Sequence, residues 1–268
     1  MTYRTMRFPG SFVYYLLFGG YLLVLAFLER SSSCRRKLLL VEKLQWTDLS
    51  AYLTWIMRHL GLPSTFAVAL EARLLGQVGV IEPRMSAFMK TRRGQVFVDV
   101  GAYHGHYSLL LSRNFKQIIA IEPLPRNADF LRRVVNYRKA HNIRILEMAA
   151  SAQAGHTPLL VMPQMSESRL ESQPASMGAT IIVETVTLDS ILLPFDEVDL
   201  MKLDVEGAEF DVVEGAKDSM SKIRSWLIEL HDQAEKRKLE SYLSNYDYHL
   251  LWLDQGHLFA SRRLGGQR

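Results

Sequence analysis

The chain has 268 residues, of which 48% are hydrophobic, and its formal net charge is +4. Residues 1–93 carry 13 Lys and Arg against 5 Asp and Glu, whereas residues 94–268 carry 19 against 23. The length allows one sizeable core with an attachment. The acidic balance of the larger part argues against nucleic-acid binding, and the single cysteine, Cys34, excludes a disulfide within the chain.

Residues 11–28 form an uncharged, hydrophobic run, which as a helix at about 1.5 Å per residue is long enough to span a bilayer core. Basic residues flank it on both sides and are denser after it, at residues 30–37. Because cytoplasmic flanks carry the excess of positive charge, this pattern predicts a single-pass membrane protein with a cytoplasmic carboxyl-terminal domain. A secretory signal sequence and a buried core helix are the rival interpretations.

Residues 38–93 are predicted to be helical. Thr47 and Asp48 can cap a first helix, Gly61 and Pro63 can end it, and Ser64 can cap a second. We expect these helices to cover the catalytic core, with a role at the substrate entrance as the alternative. The predicted domains are a membrane-anchor segment at residues 1–37, a connecting helical segment at 38–93 and a catalytic domain at 94–268.

Residues 96–111 read VFVDVGAYHGHYSLLL, which predicts a buried strand, a glycine loop and the start of a helix. Gly101 allows a sharp turn, and Gly105 lets the loop approach a ligand closely. The next predicted strand, residues 117–121, ends at Glu122, where an acid can accept hydrogen bonds from ribose hydroxyls. This layout is typical of a nucleotide-type cofactor site.

Asp99 helps to identify the cofactor. A dinucleotide would place its pyrophosphate near this acid, and the loop lacks the G-x-G-x-x-G spacing of dinucleotide sites. An ammonium group would be attracted to Asp99 instead, which favours S-adenosylmethionine. The plain alternative is an ordinary strand-to-helix turn with a capping acid.

The rest of the chain alternates between strands and helices, which predicts a doubly wound α/β domain. A polar stretch at residues 163–179 is expected to lie within a hairpin, and a second hairpin is expected to close the domain. The predicted helices cover residues 126–140, 209–220 and 234–246, and the predicted strands cover residues 143–148, 159–162, 181–186, 199–203, 226–230, 249–253 and 258–260.

Five blocks in this order resemble the FkbM family of S-adenosylmethionine-dependent methyltransferases. The blocks are VFVDVGAYHGHYSLLL, IAIEPLPRNADFLRRVVN, ETVTLDSIL, VDLMKLDVEGAEFDVVEGA and WLIELHD. The resemblance implies a class I methyltransferase fold, a Rossmann-like α/β sheet of seven mostly parallel strands with a closing antiparallel hairpin. It also implies methyl transfer to a hydroxyl oxygen of a sugar or natural product. The chain departs from the family at Tyr103, where members often carry Asn.

Chemistry is expected at the carboxyl ends of the strands. The candidate catalytic residues are Asp204 and His231, either of which could take the hydroxyl proton or orient the acceptor, together with Glu206. Glu206 and Glu209 could instead cap the following helix, and Lys202 is expected to pair with a nearby acid. No metal is predicted. The candidate cofactor-binding residues are Asp99, Gly101, Ala102, Tyr103, Gly105, Glu122, Pro123 and Ala149.

The sequence therefore predicts a membrane-anchored, S-adenosylmethionine-dependent O-methyltransferase. Its expected acceptor is a glycan, a lipid-linked sugar or a small metabolite, and no nucleic-acid partner is expected. Two alternatives remain: a tethered binding module that keeps the fold without turnover, and a nicotinamide-dependent oxidoreductase, which Asp99 and the missing glycine pattern disfavour.

Overall fold

The computed structural model describes residues 83–161, 169–170, 179–232 and 234–262. Its helices are α1 (Pro83–Lys90), α2 (His106–Leu110), α3 (Pro125–Arg138), α4 (Leu188–Leu192), α5 (Glu209–Glu214) and α6 (Lys236–Ser244). Its strands are β1 (Gly94–Val100), β2 (Phe115–Ile121), β3 (Ile143–Leu146), β4 (Ala149–Ala150), β5 (Gly155–Val161), β6 (Arg169–Leu170), β7 (Ala179–Val186), β8 (Leu200–Leu203), β9 (Ser225–Glu229), β10 (Tyr248–Trp252) and β11 (His257–Arg262).

Seven strands form the main sheet, in the order β10-β11-β9-β8-β1-β2-β3. β3, β2, β1, β8 and β9 run parallel, while β11 pairs antiparallel with both β9 and β10. This is the predicted seven-stranded, mostly parallel sheet with its antiparallel hairpin. The second strand of the hairpin, β11, lies between β9 and β10, and β10 forms the edge of the sheet.

The two faces of the sheet build two hydrophobic clusters from alternate residues of the same strands. Val96, Val98 and Val100 join the cluster that packs against α4, α5 and α6. Phe97 joins the cluster that packs against α1, α2 and α3. Because side chains alternate along a strand and both faces are covered, strands such as β8 consist wholly of buried residues.

A smaller sheet, in the order β4-β7-β5-β6, follows β3. β5 and β7 pair antiparallel, with Leu159 opposite Ile181, as expected for the predicted hairpin. Most of the polar stretch at residues 163–179 lies outside the described part of the chain. The four-stranded arrangement itself was not predicted.

Some predicted bounds need correction. α5 ends at Glu214 rather than at residue 220, because Gly215 follows it and the chain then turns into a short 3-10 helix at Met220–Lys222. The predicted hydrophobic helix at residues 11–28 is not supported, and it lies outside the described residues together with the predicted helices of residues 38–82. The predicted domain boundaries stay predictions.

The predicted localisation, a single-pass membrane protein with a cytoplasmic catalytic domain, is wrong on the present finding. Within the parts of the chain that the structure describes, no helix has both the length and the apolar character needed to cross a bilayer.

Candidate functional site

The glycine loop joins β1 to α2 at the carboxyl edge of the sheet. Gly101 and Gly105 have φ angles of 73° and 79°, in the left-handed region that glycine adopts without strain. A Cβ atom on Gly101 would overlap the backbone carbonyl of Asp204, so only glycine fits there. The amides of Gly101 and Ala102 both donate to the carbonyl of Ile121, at 3.0 Å. The loop is thereby held between the ends of β2 and β8.

Asp99 lies beneath this loop with only 1% of its surface exposed. Its Oδ2 accepts hydrogen bonds from the backbone amide of Ser108 (3.0 Å) and from the Ser108 hydroxyl (2.6 Å). Its Oδ1 is buried with no hydrogen-bond partner in the described structure. Burial raises the pKa of Asp99, and the charge of Lys202 opposes that shift. Asp99 therefore ties the loop to the first turn of α2.

Glu122 follows β2 and is also buried, with 5% exposure. Its Oε2 accepts from the amide of Tyr103 (2.8 Å), and its Oε1 accepts from the amide of Leu124 (3.0 Å) and from Asn127 Nδ2 (3.1 Å). Burial raises the pKa of Glu122 to about 7, although these hydrogen bonds favour the charged form. The two predicted cofactor residues Glu122 and Tyr103 are thus in direct contact.

Tyr103 adopts a φ of 49° although it is not glycine. Its ring stacks on His104, with the ring centroids 3.8 Å apart, and His104 in turn packs against Phe130. Burial lowers the pKa of His104 to about 3, so this imidazole is neutral. The stack shows why a large side chain is accommodated at position 103.

The other predicted cofactor residues lie at the same sheet edge. Pro123 follows Glu122 after β2, and Ala149 begins β4, just beyond β3. The structure therefore gathers the predicted cofactor residues at the carboxyl ends of β1, β2 and β3, where a ligand of an open α/β sheet is expected.

The predicted catalytic residues meet beside this loop, at the ends of β8 and β9. The Nε2 atom of His231 lies 3.2 Å from Glu206 Oε2 and 3.8 Å from Asp204 Oδ1. The predicted ion pair of Lys202 is formed with Asp204, whose Oδ2 lies 2.9 Å from Nζ. The backbone of Glu206 has a φ of 57°, so this residue adopts a left-handed conformation in the turn after β8.

Glu209, for which the sequence left capping of the following helix as an alternative, is a site residue. It is fully buried, and its Oε1 contacts His231 Nδ1 at 2.8 Å while also accepting from the amide of Gly207 at 2.9 Å. This contact raises the pKa of His231 to about 9, against burial and with further contributions from Glu206 and Asp204. His231 is therefore an imidazolium at neutral pH, with Nδ1 fixed and Nε2 facing carboxylates.

Glu229, Asp254 and His257 extend the site along the sheet edge. Glu229 Oε1 lies 3.9 Å from His231 Nε2, and Glu229 Oε2 lies 3.4 Å from His257 Nε2. His257 Nδ1 contacts Asp254 at 2.9 Å. Glu229 ends β9, and sequence reasoning gave no site role to Asp254 or His257. The position of His257 at the site follows only from the strand register, which pairs His257 of β11 with Glu229 of β9.

The ligand-type atoms of Asp204, Glu206 and His231 all lie within 4.8 Å of one another. That spacing is compatible with a cation, but the positive charges of Lys202 and His231 already lie among these acids. Clusters of this kind are common without an ion, and the absence of a metal remains a prediction.

Comparisons with known proteins agree with this arrangement. The model of the methyltransferase FkbM domain matches residues 99–252, which is 154 of the 268 residues. No curated protein sequence matches the chain significantly.

Solved structures with a similar fold include three methyltransferases at low identity. The precorrin-6y C5,15-methyltransferase of Geobacter metallireducens has 13% identity and a TM-score of 0.41, with 68% of this chain and 88% of that chain covered. An rRNA methylase of Streptococcus thermophilus has 9% identity and a TM-score of 0.42, with 67% of this chain and 95% of that chain covered. TrmK of M. capricolum, solved with S-adenosylhomocysteine, has 11% identity and a TM-score of 0.38, with 66% of each chain covered. Likeness at this level carries no argument about substrate or mechanism.

The match to the family model covers more than half of the chain and includes both groups of site residues, from Asp99 to His231. It therefore favours methyl transfer over the nicotinamide-dependent alternative. The chain belongs to the FkbM family and is a methyltransferase.

Proposed function

We propose that this methyltransferase uses S-adenosylmethionine to methylate a hydroxyl oxygen of a glycan, a lipid-linked sugar or a small metabolite. The observation that carries the proposal is the position of His231. Its Nδ1 is held by a buried carboxylate, and its Nε2 lies within 3.8 Å of the carboxylates of Asp204 and Glu206, next to the glycine loop. Such an imidazole can remove a proton from an acceptor hydroxyl.

The loop residues suit the cofactor. Glu122 Oε2 accepts from the Tyr103 amide, and a carboxylate oxygen with two lone pairs can accept a second hydrogen bond from a ribose hydroxyl. Asp99 lies buried beneath the loop, and its charged form would attract the ammonium group of a ligand held there. The close approach of Gly101 to the backbone carbonyl of Asp204 brings the loop next to the turn after β8. Glu122 and Asp99 therefore support S-adenosylmethionine at this edge.

When bound, S-adenosylmethionine would supply an electrophilic methyl group, whose bond to sulfur breaks to leave S-adenosylhomocysteine. His231 in its neutral form takes the acceptor's proton on Nε2 as the hydroxyl oxygen forms its bond to carbon. Glu209 accepts the Nδ1–H bond, which fixes the ring and stabilises the imidazolium that results. Asp204 and Glu206 both lie within 3.8 Å of Nε2, where they can orient the acceptor. Because His231 is an imidazolium at neutral pH, activity should increase as the pH approaches 9.

Cofactor identity is tested by calorimetry on the full chain. We expect S-adenosylhomocysteine to bind and NAD to give no binding heat. A Glu122→Gln variant should bind S-adenosylhomocysteine about tenfold more weakly or worse, because a charge-assisted hydrogen bond is lost. Glu197→Gln is the matched control, since Glu197 pairs with Arg224 at the amino ends of β8 and β9, on the opposite edge of the sheet. Binding of NAD in place of S-adenosylhomocysteine would overturn the proposal.

The acceptor class is tested by incubating the full chain and labelled S-adenosylmethionine with an extract of the cells that make the protein. We expect label in a base-stable ether on a carbohydrate or small-molecule fraction. His231→Asn should lose this transfer, whereas His141→Gln, at an exposed turn, should keep it. Label in nucleic acid or in protein, or full activity of His231→Asn, would contradict the proposal.

A further inference from the structure

His257 and Glu229 face each other across two antiparallel strands. They are register partners of β11 and β9, so their side chains emerge on the same face of the sheet. Glu229 Oε2 lies 3.4 Å from His257 Nε2, and Glu229 Oε1 lies 3.9 Å from His231 Nε2. Glu229 therefore stands between two histidines, one at the site and one in the hairpin.

The hairpin turn fixes the orientation of His257. Its Nδ1 contacts both carboxylate oxygens of Asp254, at 2.9 and 3.0 Å, and its backbone amide donates to Asp254 Oδ1 at 2.8 Å. The amide of Gly256 donates to the same oxygen at 2.9 Å. With Nδ1 held in this way, Nε2 lies 3.4 Å from Glu229 Oε2, at ion-pair distance but without hydrogen-bond geometry.

Within the described residues, four carboxylates face His231. His231 is faced by Asp204 and Glu206 from the turn after β8, by Glu209 from α5 and by Glu229 from β9.

Glu229 is faced by both histidines and by Lys202 of β8. Burial alone would lower the pKa of His257, but Glu229 and Asp254 raise it to about 9. Burial acts to raise the pKa of Glu229, but His257, Lys202 and His231 bring it below its ordinary value. At neutral pH, Glu229 is thus an anion between two cations.

We propose that Glu229 and His257 are positioning residues for His231. The cross-strand pair holds Glu229 Oε1 near His231 Nε2 and thereby influences whether His231 is charged when the acceptor binds. The inference deepens the proposed function, because it concerns the same base. Neither residue touches the acceptor. Glu229 acts directly on Nε2, and His257 acts through Glu229, whose negative charge it partly offsets.

The two residues have opposite charges, so their removal should have opposite effects. Histidine titration in the full chain is followed by NMR, with the His231 signal assigned from its loss in His231→Asn. In Glu229→Gln, the titration of His231 should move down by about 0.7 pH unit, the effect of one charge near 4 Å in strongly screening surroundings.

In His257→Gln, the same titration should move up by a few tenths of a unit, since the charge of Glu229 is no longer offset. Asp254→Asn weakens the positive charge of His257 from the turn, because Asp254 raises the pKa of that histidine. It should shift the titration of His231 in the same direction as His257→Gln. His141→Gln is the control and should leave the titration unchanged. Unchanged affinity for S-adenosylhomocysteine shows that each variant is folded.

Opposite shifts for Glu229→Gln and His257→Gln would support the inference, because general loosening of the hairpin would move both in one direction. Shifts of the same sign, or none, would overturn it. The proposed function fails separately: if His231→Asn still transfers methyl groups, His231 is not the base, whatever its titration shows.

Discussion

The buried contact between Glu209 and His231 gives the sharpest quantitative prediction. Glu209→Gln keeps the shape of the side chain and an oxygen that can accept from Nδ1, but it removes the negative charge. The Oε2 atom of Glu209 has no partner in the described structure, so an amide nitrogen there breaks no hydrogen bond. The substitution therefore isolates the charge from the contact.

The expected size follows from the 2.8 Å separation between Glu209 Oε1 and His231 Nδ1. Even at the dielectric constant of water, a unit charge at that distance is worth about 1.5 kcal/mol, or about one pKa unit. Because Glu209 is fully buried, this is a lower bound. We expect the pKa of His231 to fall from about 9 to about 8 or below.

NMR titration of His231 measures this shift directly, and Glu214→Gln, at an exposed position of the same helix, is the control. If His231 still titrates near 9 in Glu209→Gln, then Glu209 is not the main cause of its raised pKa and the reasoning fails.

Stability provides an independent check with a defined sign. The folded pKa of His231 lies above its ordinary value of 6.5, so the stabilisation is complete below pH 6.5 and is lost as the pH rises through about 9. Wild type should therefore exceed Glu209→Gln in free energy of unfolding at pH 6 by more than it does at pH 10. Urea unfolding at the two pH values measures this, and equal differences would refute it.

Three further changes have expected outcomes. Because burial raises the pKa of Glu122 to about 7, S-adenosylhomocysteine should bind more tightly as the pH rises from 6 to 8, and calorimetry should show that this trend disappears in Glu122→Gln. Gly207→Ala places a Cβ in open space at a φ of 106°, and should cost about 1 to 2 kcal/mol of stability in thermal melts; Gly101→Ala should cost clearly more, since its Cβ would overlap backbone. Ser108→Ala removes a 2.6 Å hydrogen bond to the buried Asp99 and should cost about 2 kcal/mol, measured by urea unfolding.

Much of the fold could be predicted because the strands of the main sheet are buried on both faces. Residues 96–100 and 200–203 read as unbroken apolar runs apart from Asp99 and Lys202, and such runs are typical of parallel strands covered by helices. The carboxyl ends of those strands then had to share one edge, which brought the predicted site residues together. The two-residue strands β4 and β6 are too short to give a pattern, so the smaller sheet could not be predicted.

The partners of His231 were harder to predict for a different reason. Glu209 lies in a helix, where an acid near the first turn has a sufficient local explanation in capping. Its contact with His231 depends on the turn at Gly207 and on β8 lying next to β9. His257 was missed because a closing hairpin can join a sheet by either strand, and only its actual register brings this residue to Glu229.

The charges along the sheet edge alternate in sign, which ties the cofactor side of the site to the acceptor side. Asp99 of β1 is the register partner of Lys202 of β8, and the Lys202 ammonium also contacts Asp204 at 2.9 Å. Lys202 is 5% exposed, and its attraction to both acids outweighs burial and keeps its pKa above the ordinary value. Lys202 is close to an acid under the glycine loop and to an acid beside His231, so its removal would withdraw positive charge from two carboxylates at once. A defect in Lys202→Met should therefore appear in cofactor affinity and in the titration of His231 together, whereas a defect confined to one of them would show that the two halves are electrostatically independent.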